Sequence, residues 1–345
     1  MTNSLTYYPE APVRKFSRGA VTFLTLGAFL ATLGLSMKFY AYDKLAVVPL
    51  DQNTRPVLTD DNATFFDADN VAPGSGPIQT TITVIGDPDA AKEASDEVGV
   101  ESGVFTKGQD TDNNGEAPPI FFYESTFAID RVTGAAVDWS GATENGEPQT
   151  FEGQIIKFPF NTQKQTYKYW DGTIGAAMDM KYEGTEKVEG TDGSIDTYRF
   201  AGTVPETVFA TREVPRGIFG LEDTRSVEAT RTYTNNRTIW VEPETGAMVK
   251  VEEDQKQMLI WDEPGSVPVV AMDTVSSFTP ETIQGNIDTY KSKSAALRAV
   301  RTWLPLVLGG IGALLILLGA VLAFRFKSDN SGGYAKNDVD TPVSV

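Results

Sequence analysis

The sequence predicts a mainly β (α+β) domain built on an antiparallel sheet, held outside the cytoplasm between an N-terminal and a C-terminal transmembrane helix. Three observations carry that expectation. Two long apolar runs without charge lie near the ends of the chain. The stretch between them is punctuated by glycine and proline and carries short runs that alternate in polarity. That stretch is also strongly acidic, whereas its flanks are slightly basic.

The first run, Gly19–Met37 (GAVTFLTLGAFLATLGLSM), has 19 residues. At about 1.5 Å per residue it just crosses a hydrocarbon core. Arg14, Lys15 and Arg18 precede it, which puts the N-terminus in the cytoplasm by the positive-inside tendency. Phe39, Tyr40 and Tyr42 follow as an interfacial belt. A cleaved signal peptide is the competing reading. It needs a shorter apolar region and a small-x-small cleavage site, and Lys38-Phe-Tyr-Ala-Tyr42 is a poor one.

The second run, Trp303–Phe324, has 22 residues, with Pro305 in the first turn where a missing N–H is harmless. Basic residues lie on both sides of it, so the first span sets the orientation. Five segments follow: a cytoplasmic tail at 1–18, a first span and belt at 19–42, the β-rich domain with a C-terminal stalk helix at 43–300, a second span at 301–324, and a cytoplasmic tail at 325–345. Gly27/Ala31, Gly309/Ala313 and Gly319/Ala323 have the spacing that lets helices approach closely.

Composition excludes several function classes. The chain has no cysteine and no histidine, so disulfides, thiolate nucleophiles, imidazole bases and zinc sites of the usual kind are ruled out. The net charge is −18; Lys44–Val300 holds 21 Lys/Arg against 42 Asp/Glu. Such a surface repels nucleic acid and anionic headgroups. With 41% apolar and 10% aromatic residues the domain can still bury a core.

Along the domain, Leu45–Leu58 reads as extended. Ile78–Ile85, Ile120–Asp130, Tyr198–Val204, Thr238–Val241 and Ala247–Val251 read as strands. Asp89–Val98 and Trp170–Lys181 are helix candidates, the second weakened by its glycines, and Glu281–Arg301 is the stalk. Gly86–Gly115, polar and acidic, reads as a surface excursion. Two segments look like copies of one unit: Ala128-Ile-Asp-Arg-Val-Thr-Gly134-Ala-Ala-Val137 and Trp240-Val-Glu-Pro-Glu-Thr-Gly246-Ala-Met-Val249. Each reads as a hairpin with glycine at its turn, and the pair suggests duplicated halves.

Candidate sites are few. Asp110, Asp112 and Asn114, followed by Gly115, match the first half of a calcium loop. Its bidentate glutamate is missing, since Phe121 stands at that position. An acidic solvated turn is the other reading. In Ile155–Asp171 the aromatics Phe158, Phe160, Tyr167, Tyr169 and Trp170 interleave with Lys157, Lys164 and Lys168. That mixture can form a recognition surface, or an edge strand whose rings face the core. No phosphate loop, nucleophile elbow or dinucleotide fingerprint occurs, so no catalytic residues and no cofactor beyond calcium are expected.

At this same segment the chain resembles an actinobacterial envelope family known as porin PorA. The residues that carry the likeness are Lys157-Phe-Pro-Phe-Asn-Thr-Gln-Lys164, Tyr169-Trp-Asp171, Tyr182-Glu-Gly-Thr-Glu186, Tyr198-Arg-Phe200, Val204-Pro205, Glu213-Val-Pro215 and Arg237-Thr-Ile-Trp-Val-Glu-Pro-Glu-Thr-Gly246. The acidic stretch Gly86–Gly115 departs from the family pattern. The resemblance implies a place in the envelope of mycolate-bearing actinobacteria and a membrane helix at each end. The family name implies a channel, yet two apolar helices line no aqueous lumen. The expected function is therefore a non-enzymatic, two-pass cell-membrane protein. Its ectodomain binds a lipid-like ligand (membrane lipid or envelope glycolipid) or joins other membrane proteins as an accessory subunit. The alternative is a channel formed by oligomerisation.

Overall fold

The computed structural model describes residues 18–67, 71–113, 116–221 and 225–329, so Asn114 and most of both expected tails lie outside the described residues. Two compact units result, Met1–Tyr42 with Arg298–Val345, and Asp43–Leu297. In chain order the elements are α1 (Arg18–Ser36), a π-turn and α2 (Tyr42–Leu45), β1 (Asn53–Thr54), β2 (Val57–Asp67), β3 (Ala72–Asp87), α3 (Pro88–Val98), β4 (Ser102–Asn113) and β5 (Glu116–Asp130). After these come β6 (Ala136–Val137), β7 (Thr143–Glu144), β8 (Glu147–Pro148), β9 (Tyr167–Asp171), β10 (Ala176–Glu189) and β11 (Ser194–Pro215). The last are β12 (Ser226–Val241), β13 (Met248–Ile260), β14 (Val269–Phe278), α4 (Pro280–Arg298), a second π-turn and α5 (Leu304–Asp329).

In the larger unit the strands form one antiparallel sheet in the order β8-β7-β5-β4-β3-β2-β14-β13-β12-β11-β10-β9, with β1 on β3 and β6 on β5. A twisted sheet of this width curls, and here its edges meet. Gln154, between β8 and β9, bridges Ala135 beside β6 on one side and Tyr169 of β9 on the other. Its amide donates to Lys168 O (2.8 Å), its carbonyl accepts from Trp170 N (2.8 Å), and Ala136 N donates to Gly153 O (2.8 Å). The sheet is thereby closed into a barrel.

Side-chain alternation then sorts residues into inner and outer faces. On β13 the inner row runs Val251, Glu253, Gln255, Gln257 and Leu259, the outer row includes Lys250, Glu252, Asp254 and Lys256, and a bulge turns Val249 outward. This charged outer row is unlike the apolar band of a membrane barrel. The apolar inner residues gather into two main clusters. One holds Phe105, Phe127, Phe151, Ile155 and Trp170; the other holds Phe158, Tyr169, Phe200, Ile239 and Val241.

The two similar segments prove to be twin turns. After β5, Asp130 accepts from the amides of Val132 (2.8 Å) and Thr133 (2.7 Å), and Gly134 sits at φ +70°. After β12, Glu242 accepts from Glu244 N (3.1 Å) and Thr245 N (2.8 Å), and Gly246 sits at φ +72°. In both, the glycine N–H returns to the acidic residue's carbonyl at 2.8 Å. The same acidic-x-x-Thr-Gly spacing therefore folds the same way twice.

Four expectations need correction. Trp170–Lys181 is not helical; it is the end of β9, a turn and the start of β10, because Asp171 caps the turn at Thr173 N (3.0 Å) and Gly175 takes φ +61°. Gly86–Gly115 is not a surface excursion: it holds α3 and the strand β4, whose Phe105 is wholly buried. Leu45 closes a helical turn rather than starting an extended run. Within the barrel unit, α4 does not stand free as a stalk. Ile283, Ile287 and Tyr290 pack on Val188, Ile195, Trp240 and Val249.

In the smaller unit α1 packs against α5 along a glycine seam. A Cβ on Gly27 would meet Gly312 O at 2.7 Å, and one on Gly319 would meet Leu24 Cγ at 2.8 Å. Of the three predicted small-residue pairs, Gly27/Ala31 and Gly319 lie at this seam. Of the pair Gly309/Ala313, Gly309 faces Gly34, on which a Cβ would lie 3.4 Å from Gly309 N, and Ala313 is exposed; Gly312 supplies a further close approach. Both helices are long and apolar enough to cross a membrane.

The second turn sets a strict steric demand, since a Cβ on Gly246 would lie 2.0 Å from Phe158 O. Replacing Gly246 with alanine is expected to cost about 3 kcal/mol, from positive φ and the clash together. Denaturant unfolding read on far-UV circular dichroism measures it, with Gly108→Ala, where nothing lies within 4 Å, as the control.

Candidate functional site

The strands that carry the apolar clusters turn polar half-way along. On β12 the inner row Val241 and Ile239 continues as Arg237, Asn235 and Tyr233. Register places Arg237 opposite Glu253 and Asn235 opposite Gln255 on β13, with Gln255 opposite Thr274 on β14. Directly opposed residues share a face, so a polar layer crosses the interior.

An ion network lies at its centre. Arg237 binds Asp171 Oδ2 through Nη2 at 3.2 Å and Glu253 through Nε, and its guanidinium lies 5.2 Å from the Tyr169 ring centre. Tyr233 donates its hydroxyl to Asp171 Oδ2 at 3.2 Å. Gln255 donates to the other oxygen of Glu253. Burial pushes the Arg237 pKa down, but Glu253 and Asp171 outweigh it and hold the guanidinium well above its ordinary value. Burial, with Asp171 next, raises the Tyr123 and Tyr233 phenols. Burial also raises the Glu144 carboxyl, which sits beside the Trp170 indole and the Ser125 hydroxyl (3.3 Å). Asn235 is fully buried and neither atom of its amide has a hydrogen-bond partner among the described residues.

Beside the network is a cavity lined by Thr80, Gln109, Thr111, Glu253, Gln255 and Thr274, among others. It has room for one or two waters. Its walls mix hydroxyls and amides with Leu58, Ile78, Ile82, Phe121 and Met272, and it is far too small for a lipid chain.

The predicted recognition surface is mostly interior. Phe158, Tyr169 and Trp170 are core residues, because the segment before β9 points its rings into the barrel end. Phe160 and Tyr167 are half-buried. Lys164 and Lys168 reach the surface, the Lys164 ammonium lying 5.1 Å from the Tyr198 ring centre and 5.6 Å from that of Tyr182. The calcium reading meets a geometric obstacle. Asp110 and Asp112 lie on strand β4, extended and paired with β3, rather than in the tight turn that gathers calcium ligands. Among the described residues no group of three acidic side chains could hold a metal ion. Arg237 and Asp171 entered the sequence reading only as parts of the family-like motifs, with no role assigned, and Glu253 not at all. A further signal was phase: Arg237 occupies the same alternate row as Ile239 and Val241.

A closed β-barrel with a filled polar interior, in a chain that carries a candidate membrane span near each end, is the build of a membrane-associated β protein. The chain belongs to the Porin PorA family, whose model matches residues 19–321. Among curated relatives, a Porin PorA of Corynebacterium resistens is 25% identical over 262 residues, covering 57% of this chain and 62% of the relative. A Porin PorA of Corynebacterium amycolatum is 24% identical over 244 residues, covering 59% and 61%. The chain thus spans about three-fifths of the length of each.

Replacing Arg237 with methionine leaves two buried carboxylates without their cation. The expected loss is about 3–5 kcal/mol. Adding Asp171→Asn and Glu253→Gln should return part of it, because the stranded charges are then gone. Chemical denaturation of the single and triple variants measures both.

Proposed function

We propose that the protein is a non-enzymatic subunit of an envelope membrane assembly, anchored through α1 and α5 with its barrel outside the cytoplasm. Channel activity, which the name Porin PorA attaches to its relatives, then belongs to the assembly and not to one chain. One observation carries this reading: among the described residues the barrel interior is filled and the helix pair lacks a charged lining. The barrel cavity holds one or two waters, and neither apolar run contains a charged residue. The outward faces of the helix pair, with Phe29, Leu306, Leu314 and Phe324 exposed, are free to meet lipid or another membrane helix. The lipid-carrier version has less support, since the cavity is too small for a lipid chain.

Native mass spectrometry of the gently solubilised protein tests the proposal. The expected species is a homo-oligomer or a stoichiometric complex, and only that fraction should conduct in planar bilayers. A monomer that conducts, or a monomer that retains bound lipid, would refute it.

Orientation has its own test. Arg14, Lys15 and Arg18 precede the first apolar run, which favours cytoplasmic termini. A cysteine at Glu206, exposed on β11, should react with an impermeant thiol reagent in intact cells or spheroplasts, and one at Ser331 should not. Ser102, 1% exposed, is unsuitable for labelling. The opposite labelling pattern would invert the topology.

A further inference from the structure

The segment 151–162 lies as a strap across one end of the barrel, over both twin turns. Gln154 closes the sheet, and its side-chain amide, turned to donate, reaches the carbonyls of Lys157 (2.7 Å), Gly134 (3.2 Å) and Thr133 (3.3 Å) at the first turn. At the second turn Phe158 N donates to Gly246 O (2.8 Å), Asn161 N to Glu244 O (3.0 Å) and Thr162 N to Pro243 O (2.7 Å). Phe151, Ile155 and Phe158 point inward. Phe151 packs on Phe127 and Trp170, and Phe158 stacks on Phe200 at 4.8 Å between ring centres. The strap is both the last hydrogen-bonded stave of the barrel and the apolar stopper of its end.

One residue in the strap opposes this order. Lys157 buries its terminal nitrogen with no hydrogen-bond partner among the described residues, 3.5 Å from the centre of the Phe160 ring. A native structure rarely leaves such a group without a role. The charged groups on the neighbouring elements are engaged elsewhere. Asp130 is held by Val132 and Thr133, Arg131 by Glu101, Glu242 by Glu244 and Thr245, and Lys168 by Asp179. Glu244 is buried within the second turn, and Glu152 is exposed.

We propose that the strap is a proton-sensitive latch: protonation of Lys157 in its buried seat loosens the strap from the twin turns and uncovers the apolar end of the barrel. Burial alone pushes the Lys157 amine down to about 7, against an ordinary value near 10.4. The closed strap therefore disfavours the proton, and the open strap accepts it. Opening grows as pH falls from about 10.4 to about 7 and levels off below, where both states are protonated.

The test is hydrogen–deuterium exchange of the full-length protein in detergent, comparing a peptide covering 151–162 with one from β13 in the same sample. The ratio cancels the intrinsic pH dependence of exchange. Between about pH 8.5 and about pH 6, strap protection relative to β13 should fall about thirtyfold in the wild type. In Lys157→Met, which keeps the length and the contact with Phe160, it should not change. A wild-type strap whose relative protection is flat across this range overturns the latch. So does a methionine variant with the same fall as wild type. Should the variant fail to fold, the wild-type ratio alone decides.

Discussion

Everything in the larger unit depends on where the two edges of its sheet meet. A sheet this wide exposes a row of unpaired backbone groups at each edge unless they are joined or covered. Here a single residue, Gln154, supplies the join, taking Ala135 on one side and Tyr169 on the other. One residue of pairing is little, so the join is reinforced from both faces. The strap lies over the twin turns, whose glycines bring their backbones against it. Beneath it, the ion network starts at Asp171, at the end of β9, and reaches through Arg237 to Glu253 on β13. The network thus fastens the strand beside the seam to the opposite wall.

The interior follows one logic along its length. Where strands converge under the strap, aromatic rings fill the space; further along, amides, hydroxyls and paired charges do. Buried polar groups of this sort contribute less to stability than to uniqueness, because each satisfied pair admits one register only. On β12 and β13, a slip of one residue would part Arg237 from Glu253 and turn the charged outer row of β13 inward.

What the sequence made legible was local. Alternation located β3, β5, β11, β12 and β13, and the acidic-x-x-Thr-Gly spacing announced both turns, because each of those signals is written within ten residues or so. Helix α3 was readable from Pro88 and its alanine stripe. β4 was not, since its outward residues (Asp110, Asp112) and its inward Gln109 and Thr111 are all polar and mask the single Phe105. The aromatics before β9 misled for a related reason. Rings and lysines alternate there as on a binding surface, and only the distant contacts with Phe200 and Phe127 turn the rings inward. Closure through Gln154 joins residues that no local pattern connects. Arg237 and Glu253 are opposed by register, which depends on the whole sheet.

The glycine seam of α1 and α5 carries a last implication. The runs Gly19–Met37 and Trp303–Phe324 contain no ionisable side chain. Within a bilayer, an electric field does work only on charge that moves through it, about 2.3 kcal/mol per elementary charge for each 100 mV. This pair offers the field nothing to grip. Rearrangements confined to these two candidate spans would therefore move no side-chain charge through a membrane potential, and would be governed by packing and by the thickness of the lipid around them.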